Sequence, residues 1–92
     1  MWFLYILECE NNFLYTGVTQ DLKRRFQEHV RGVGGYFTSK HQAKKIVHFE
    51  GFETEYLARQ RESQIKRWRR SKKQALIKGQ LKQLRELSIS RD

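Results

Sequence analysis

Two short apolar runs near the start of the chain, separated only by a polar tripeptide, constrain the fold more than any other feature. Residues 2–9 (Trp-Phe-Leu-Tyr-Ile-Leu-Glu-Cys) are aromatic and aliphatic and carry no helix start signal. They predict a strand buried on both faces. Residues 13–18 (Phe-Leu-Tyr-Thr-Gly-Val) predict a second strand, and the asparagines between the two favour a tight turn. The segments therefore pair as an antiparallel hairpin. Turn length then decides which side chains share a face, because strands alternate faces with period two. A two-residue Asn11-Asn12 turn pairs Tyr5 with Val18 and sets Tyr5 and Tyr15 on opposite faces. A three-residue Glu10-Asn11-Asn12 turn pairs Leu7 with Tyr15 and Tyr5 with Gly17. The tyrosines then become diagonal neighbours, with Cα atoms about 7–8 Å apart. A site that uses both phenols requires the three-residue turn, and that register is the expectation.

Further along, Thr19 or Asp21 can cap a helix that runs to about Val30. Its stripe is Leu22, Arg25, Phe26, His29 and Val30, at helical spacing. Gly32, Gly34 and Gly35 end the pattern, and residues 31–43 predict a flexible basic loop. Ile46-Val47-His48-Phe49 predicts a third strand. Thr54 is an N-cap candidate, with Glu55 well placed against the helix dipole. The helix that follows is expected to reach about Arg70, buried through Leu57, Ala58, Ile65 and Trp68. Ser71-Lys72-Lys73-Gln74 has the capping-box pattern and predicts a short helix ending near Gly79. Residues 80–92 extend it or fray. The expected fold is a small α/β (α+β) domain with a three-stranded sheet, element order β-β-α-β-α-α, and one core. It spans residues 1–79, with 80–92 as a C-terminal helical extension or frayed tail.

The charge is uneven. The chain carries a formal net charge of +9, and residues 59–85 hold eleven Lys/Arg and a single acid, Glu62. Such a concentration implies a polyanionic partner. Nucleic acid leads over a membrane surface, because the segment has too few large apolar residues to insert. Cys9 is the only cysteine, which excludes an internal disulfide and a cysteine-based zinc site and reads as a small buried residue. Residues 1–7 are apolar but stop at Glu8, with no basic flank or small-residue cleavage pattern. They predict neither a signal peptide nor a membrane span. A cytoplasmic protein without a membrane partner is the expectation, as a monomer or an oligomer of unspecified order.

Five polar residues stand out against this background: Tyr5, Tyr15, Arg25, His29 and Glu62. Arg25 and His29 are four apart, so they share a helix face. Arg25 and Glu62 fall at the margins of buried stripes, where a side chain can point into a cleft. Cleavage of a phosphodiester needs an activated water, positive charge at the phosphoryl oxygens and help for the leaving oxygen. A phenol pair, a guanidinium, an imidazole and a carboxylate can supply these. Each also has an ordinary reading: strand aromatics, a solvated arginine, a structural histidine, and a glutamate paired with Arg59, Lys66 or Arg69 on its own helix. Phosphate contacts are expected from Lys23, Arg24, Arg31, Lys40, Lys66 and Arg69, with Lys44 and Lys45.

Taken in order, these segments resemble the GIY-YIG nuclease superfamily. The likeness covers roughly residues 2–78 and is similar to the small stand-alone bacterial members and the N-terminal nuclease domain of the UvrC excision-repair protein. Phe3-Leu4-Tyr5 stands where the family has its first tripeptide, and Tyr15-Thr16-Gly17 where it has its second. Residues 22–29, ending in Glu28-His29, look like the following helix. Residues 58–68, around Glu62, look like the metal-ligand helix. The first tripeptide keeps only its tyrosine, and Thr16 takes the middle of the second. Phe37-Thr38 stands where the small members often have Tyr-Thr, with Tyr36 one place earlier. The resemblance implies a metal-dependent endonuclease acting on nucleic acid, DNA first, with a place in DNA repair. It implies one divalent ion, Mg²⁺ or Mn²⁺, held by Glu62. Arg25 would clamp the scissile phosphate, Tyr15 would act as general base, Tyr5 would help orient the water, and His29 would shuttle a proton. A nucleic-acid-binding module of the same fold with weak or lost catalysis is the second expectation.

Overall fold

In the computed structural model, which describes residues 1–33 and 40–79, strand β1 (Trp2–Cys9) turns directly into β2 (Leu14–Thr19). A single tight turn over Glu10–Asn12 joins them. Asn11 and Asn12 both take positive φ, 60° and 63°, a region that asparagine tolerates better than most residues with a Cβ. The Cys9 N–H closes the turn on the Phe13 carbonyl at 2.8 Å. Leu7 pairs with Tyr15 and Tyr5 with Gly17, which is the three-residue register. Strand β3 (Ala43–Phe52) pairs antiparallel on the other side of β1, giving the order β2-β1-β3. The central position of β1 accounts for its unbroken apolar run, since Leu4, Tyr5, Ile6 and Leu7 are all buried.

β3 is longer than predicted and takes Ala43 from the expected loop. It is an edge strand with two register shifts against β1. Lys44, Lys45 and Glu50 give it the charged character of a protected edge, so its ends do not read as apolar alternation.

Helix α1 (Leu22–Val30) is capped by Asp21, whose side chain accepts the Arg24 N–H at 3.0 Å. Thr19 braces that cap instead of forming it, its hydroxyl accepting the Asp21 N–H at 3.1 Å. Helix α2 (Glu55–Lys66) is capped by Thr54, which accepts the Leu57 N–H at 3.2 Å. α2 stops four residues before Arg70. Residues 70–79 are helical and form α3. The Arg69 carbonyl accepts the N–H groups of Lys72 and Lys73, so Ser71 lies inside the first turn and is not the cap. The element order is β-β-α-β-α-α, an α+β domain. The Tyr36–Thr38 stretch and residues 80–92 lie outside the described residues. Among the described residues no helix is long and apolar enough to cross a membrane.

The alternation of β1 builds two packed layers where one core was expected. Tyr5, Leu7 and Cys9 face α1 and cluster with Ala43, Tyr15, Leu22, Phe26 and Ile46. Leu4 and Ile6 face α2 and α3 and cluster with Ile65, Val18, Val47, Trp68 and Ile77. Val30 and Leu57 sit on the predicted stripes yet are 39% and 43% exposed. A three-stranded sheet is too narrow to cover the flank of every helix that crosses it.

Candidate active site

The register that brings Tyr5 beside Gly17 sets up the rest of the site. The Tyr5 hydroxyl lies 2.8 Å from Nε2 of His29, a buried bond between β1 and α1. Tyr15 joins them. Ring centroids are 6.2 Å apart for Tyr5–Tyr15, 5.8 Å for Tyr5–His29 and 4.8 Å for Tyr15–His29. Three rings from three elements thus pack as a triangle. The Tyr5 ring crosses directly over its strand partner. A Cβ at Gly17 would stand 2.5 Å from the Tyr5 hydroxyl, 2.7 Å from Cζ and 3.1 Å from Cε1 of Tyr15. Only glycine leaves room for this approach.

Charge around the triangle follows from burial and from Arg25. Arg25 pairs with Glu28 at 3.2 Å, and its guanidinium is near enough to the Tyr5 phenol for each to influence the other's titration. The Tyr5 oxygen can direct its proton to His29 Nε2. Burial pushes the Tyr5 phenol up to about 12, against the pull of Arg25; the charges of Tyr15 and Glu62 add to the rise. Burial and then the Arg25 charge hold His29 down at about 4, with Glu28 pulling weakly the other way. For Arg25, burial opposes the charge, but the interactions with Tyr5 and Glu28 outweigh it and raise its pKa. At neutral pH the site therefore holds a protonated phenol against a neutral imidazole, beside a fixed guanidinium.

Glu62 approaches from α2, near enough for its charge to be felt at Tyr5. Its side chain is 13% exposed. One carboxylate oxygen lies 3.3 Å from Arg59 and the other 3.2 Å from Lys66. These partners are 53% and 55% exposed, so both can swing away from the carboxylate. A cleft of about 420 Å³ lies beside the constellation, between Trp2, the Val18–Asp21 turn, Arg24, Arg25, Glu28 and Arg59. Of the five candidates only Arg25 lines it; Arg59 connects it to Glu62. Among the described residues no group of three or more His, Cys, Asp or Glu could cage an ion. A single carboxylate suits a hard ion that keeps water and takes phosphate oxygens as its remaining ligands.

The sequence agrees with this geometry, because the model of the GIY-YIG catalytic domain matches residues 1–75. The chain belongs to the GIY-YIG family. GIY-YIG domains are typically nucleases that act on nucleic acid, generally with divalent metal ions. Relatives include UPF0213 proteins of Haloquadratum walsbyi, 45% identical over 80% of this chain and 83% of the relative, and of Staphylococcus aureus, 40% identical over 83% and 93%. A UPF0213 protein of Bacillus halodurans, solved by NMR, is 33% identical with a TM-score of 0.54, covering 85% of this chain and 84% of that one. The UPF0213 designation specifies no reaction.

Within this GIY-YIG domain the predicted phosphate contacts differ in their surroundings. Arg24 lies 3.8 Å from Glu28, and Lys66 is held by Glu62. Lys23, Arg31, Lys40 and Arg69 are exposed. Sequence reasoning paired Gly17 with Tyr5 but missed its steric role, which appears only when the Tyr5 ring is seen to cross it. It also missed Glu28, although its three-residue spacing to Arg25 was readable; Arg59 was foreseen as a partner of Glu62 but not as a wall of the cleft. A second polar network went unseen because it joins β3 to α2. His48 Nε2 lies 2.7 Å from Glu50, whose two carboxylate oxygens accept hydrogen bonds from Arg61 at 3.0 and 3.2 Å. Arg61 in turn lies over the Trp68 ring at 5.1 Å.

Proposed function

We propose that this GIY-YIG domain is a metal-dependent endonuclease that hydrolyses phosphodiester bonds in DNA, with residues 1–79 carrying the activity. The observation that carries this reading is the convergence of Tyr5, Tyr15 and His29, with Arg25 beside them lining the adjoining cleft. Tyr5 is sealed and its proton held tightly, which suits positioning. Tyr15 is only partly buried, so it is the phenol that can meet water, and it serves as general base. Neutral His29, its ring tilted against Tyr15 at 4.8 Å between centroids, would orient that phenol. Arg25 fits the scissile phosphate with its fork of donors. Glu62 would hold Mg²⁺ or Mn²⁺, and when bound that ion supplies positive charge at the phosphoryl oxygens. The likeness to the UvrC nuclease domain makes cytoplasmic DNA repair the setting we favour.

One observation favours a second reading, a binding module with weak catalysis: both oxygens of Glu62 pair with cations of its own helix. Nicking of supercoiled plasmid separates the two. The wild type with Mg²⁺ or Mn²⁺ should nick, while EDTA and Glu62→Ala should each abolish nicking. Equal nicking in all three samples rejects the enzyme. DNA binding without nicking on any DNA or RNA tried favours the module.

A further inference from the structure

The basic residues of this chain fall into two classes once their ion pairs are known. On α1 and α2 the arginines are largely neutralised: Arg24 and Arg25 by Glu28, Arg59 by Glu55 and Glu62, Arg61 by Glu50, and Lys66 by Glu62. Beyond Lys66 the pattern changes. Arg67, Arg69, Arg70, Lys72, Lys73 and Lys78 follow the end of α2 or lie on α3, and no carboxylate pairs with any of them among the described residues. Five of the six are exposed and Lys73 is partly so. Among the described residues, cations elsewhere that lie outside these ion pairs occur in ones and twos, as at Lys23 or Lys44-Lys45. A surface that gathers so much uncompensated charge has no internal use for it.

The position of this elbow is set by α2. Lys66, the residue just before its first cation Arg67, touches Glu62, and the chain leaves the helix one residue later. Helical rise places Arg67 only about 7–8 Å along the axis from Glu62. That is about the span of two nucleotide steps along one strand of a duplex. The elbow also lacks what single strands require. Surfaces that bind unpaired strands combine charge with open aromatic faces for base stacking. The one aromatic here, Trp68, packs into the Leu4–Ile6–Ile65 layer and has Arg61 and Lys72 over its ring at 5.1 and 4.3 Å.

We infer that the elbow between α2 and α3 is a duplex-docking surface, which grips the phosphate backbone of double-stranded DNA flanking the bond presented to Glu62. This deepens the proposed nuclease reading and rests on it. The contacts are to phosphate alone, so they position the duplex without reading its sequence.

Anisotropy titrations of a fluorescein-labelled DNA duplex and of the matching single strand, over 50 to 200 mM salt, test this. Arg67→Gln with Arg70→Gln should weaken duplex binding and make the slope of log K against log salt shallower by about 1.8. Arg67→Lys with Arg70→Lys should keep the slope. Lys44→Gln with Lys45→Gln removes the same charge from two of the expected phosphate contacts on β3, and with the elbow as the main grip should change the slope by less than half as much. Equal changes for both neutralised pairs would mean that net charge alone acts, and would overturn the docking surface. So would an unchanged slope in the elbow pair, or tighter binding of the single strand. A wild type that binds neither probe overturns the nuclease reading as well, which distinguishes that failure from failure of the elbow alone.

Discussion

Gly17→Ala probes the site through a contact whose sign can be worked out. In a strand, replacing glycine by alanine normally stabilises by about 0.4–1 kcal/mol, because it restricts the unfolded chain. Here the new methyl would lie 2.5 Å from the Tyr5 hydroxyl and 2.7 Å from Cζ, well inside van der Waals contact. The Tyr5 ring is almost fully buried and bonded to His29, so it cannot simply swing out. Overpacking of this kind costs about 1–3 kcal/mol. Mid-range values net to a loss of about 1.3 kcal/mol, and at about 4–8 °C per kcal/mol for a domain this size the melting midpoint should fall by about 5–10 °C. Thermal unfolding followed by circular dichroism reads this directly. Tyr5→Phe in the Gly17→Ala background removes the nearest atom but leaves Cζ at 2.7 Å, so it should recover only part of the loss. Displacement of Tyr5 should also break its bond to His29, visible as a shift of the imidazole resonances. A Gly17→Ala protein at least as stable as the wild type would refute the crossing of Tyr5 over Gly17, and with it the register on which the site depends.

Other expectations follow from the same contacts. His29 is held at about 4 against 6.5 in the unfolded chain, so between those values the unfolded state binds the extra proton. Stability should therefore fall as pH drops from 6.5 towards 4, by up to about 3 kcal/mol, and urea titrations of His29→Gln should show a flatter profile. Tyr5→Phe leaves His29 Nε2 buried without its partner, at a cost of about 1–3 kcal/mol; an unchanged denaturation midpoint would mean the bond contributes nothing. Glu50→Gln should cost a comparable amount by loosening Arg61. Its signature is a weaker acid dependence, because Glu50, despite its burial, is pulled below the usual carboxylate range by Arg61 and His48 and stabilises only while ionised.

Legibility of the site depended on whether a feature was local. The hairpin register could be read because three residues of turn and a period of two leave few choices, and the two asparagines fit the positive φ that the turn needs. The caps at Asp21 and Thr54 were visible for the same reason. What failed were judgements about width and reach. Periodicity marks the face on which Val30 and Leu57 lie, but not where the sheet beneath them ends. The pairing of Glu62 with Arg59 and Lys66 lies within one helix and could be foreseen. Its influence on Tyr5, and the bridge from His48 through Glu50 to Arg61, join elements far apart in sequence and appear only on folding.

The departures in the first motif are explained by the same two-layer packing. Its tyrosine is the one position that reaches the site, and it is retained as Tyr5. Leu4, in place of isoleucine, points into the opposite layer against Ile65, where a change between two branched apolar residues of equal size is tolerated. Phe3, in place of glycine, would be the serious loss if the motif needed open space there. Yet Phe3 pairs across the sheet with Gly51, and its ring comes within 3.6 Å of where a Gly51 side chain would begin. That is an ordinary contact, so the ring is accommodated without crowding, and it packs edge-on against Phe49 at 6.3 Å. Gly17, by contrast, has no such substitute, because Tyr5 occupies the very volume a side chain would take. The second motif therefore keeps its glycine for a steric reason that the first no longer has.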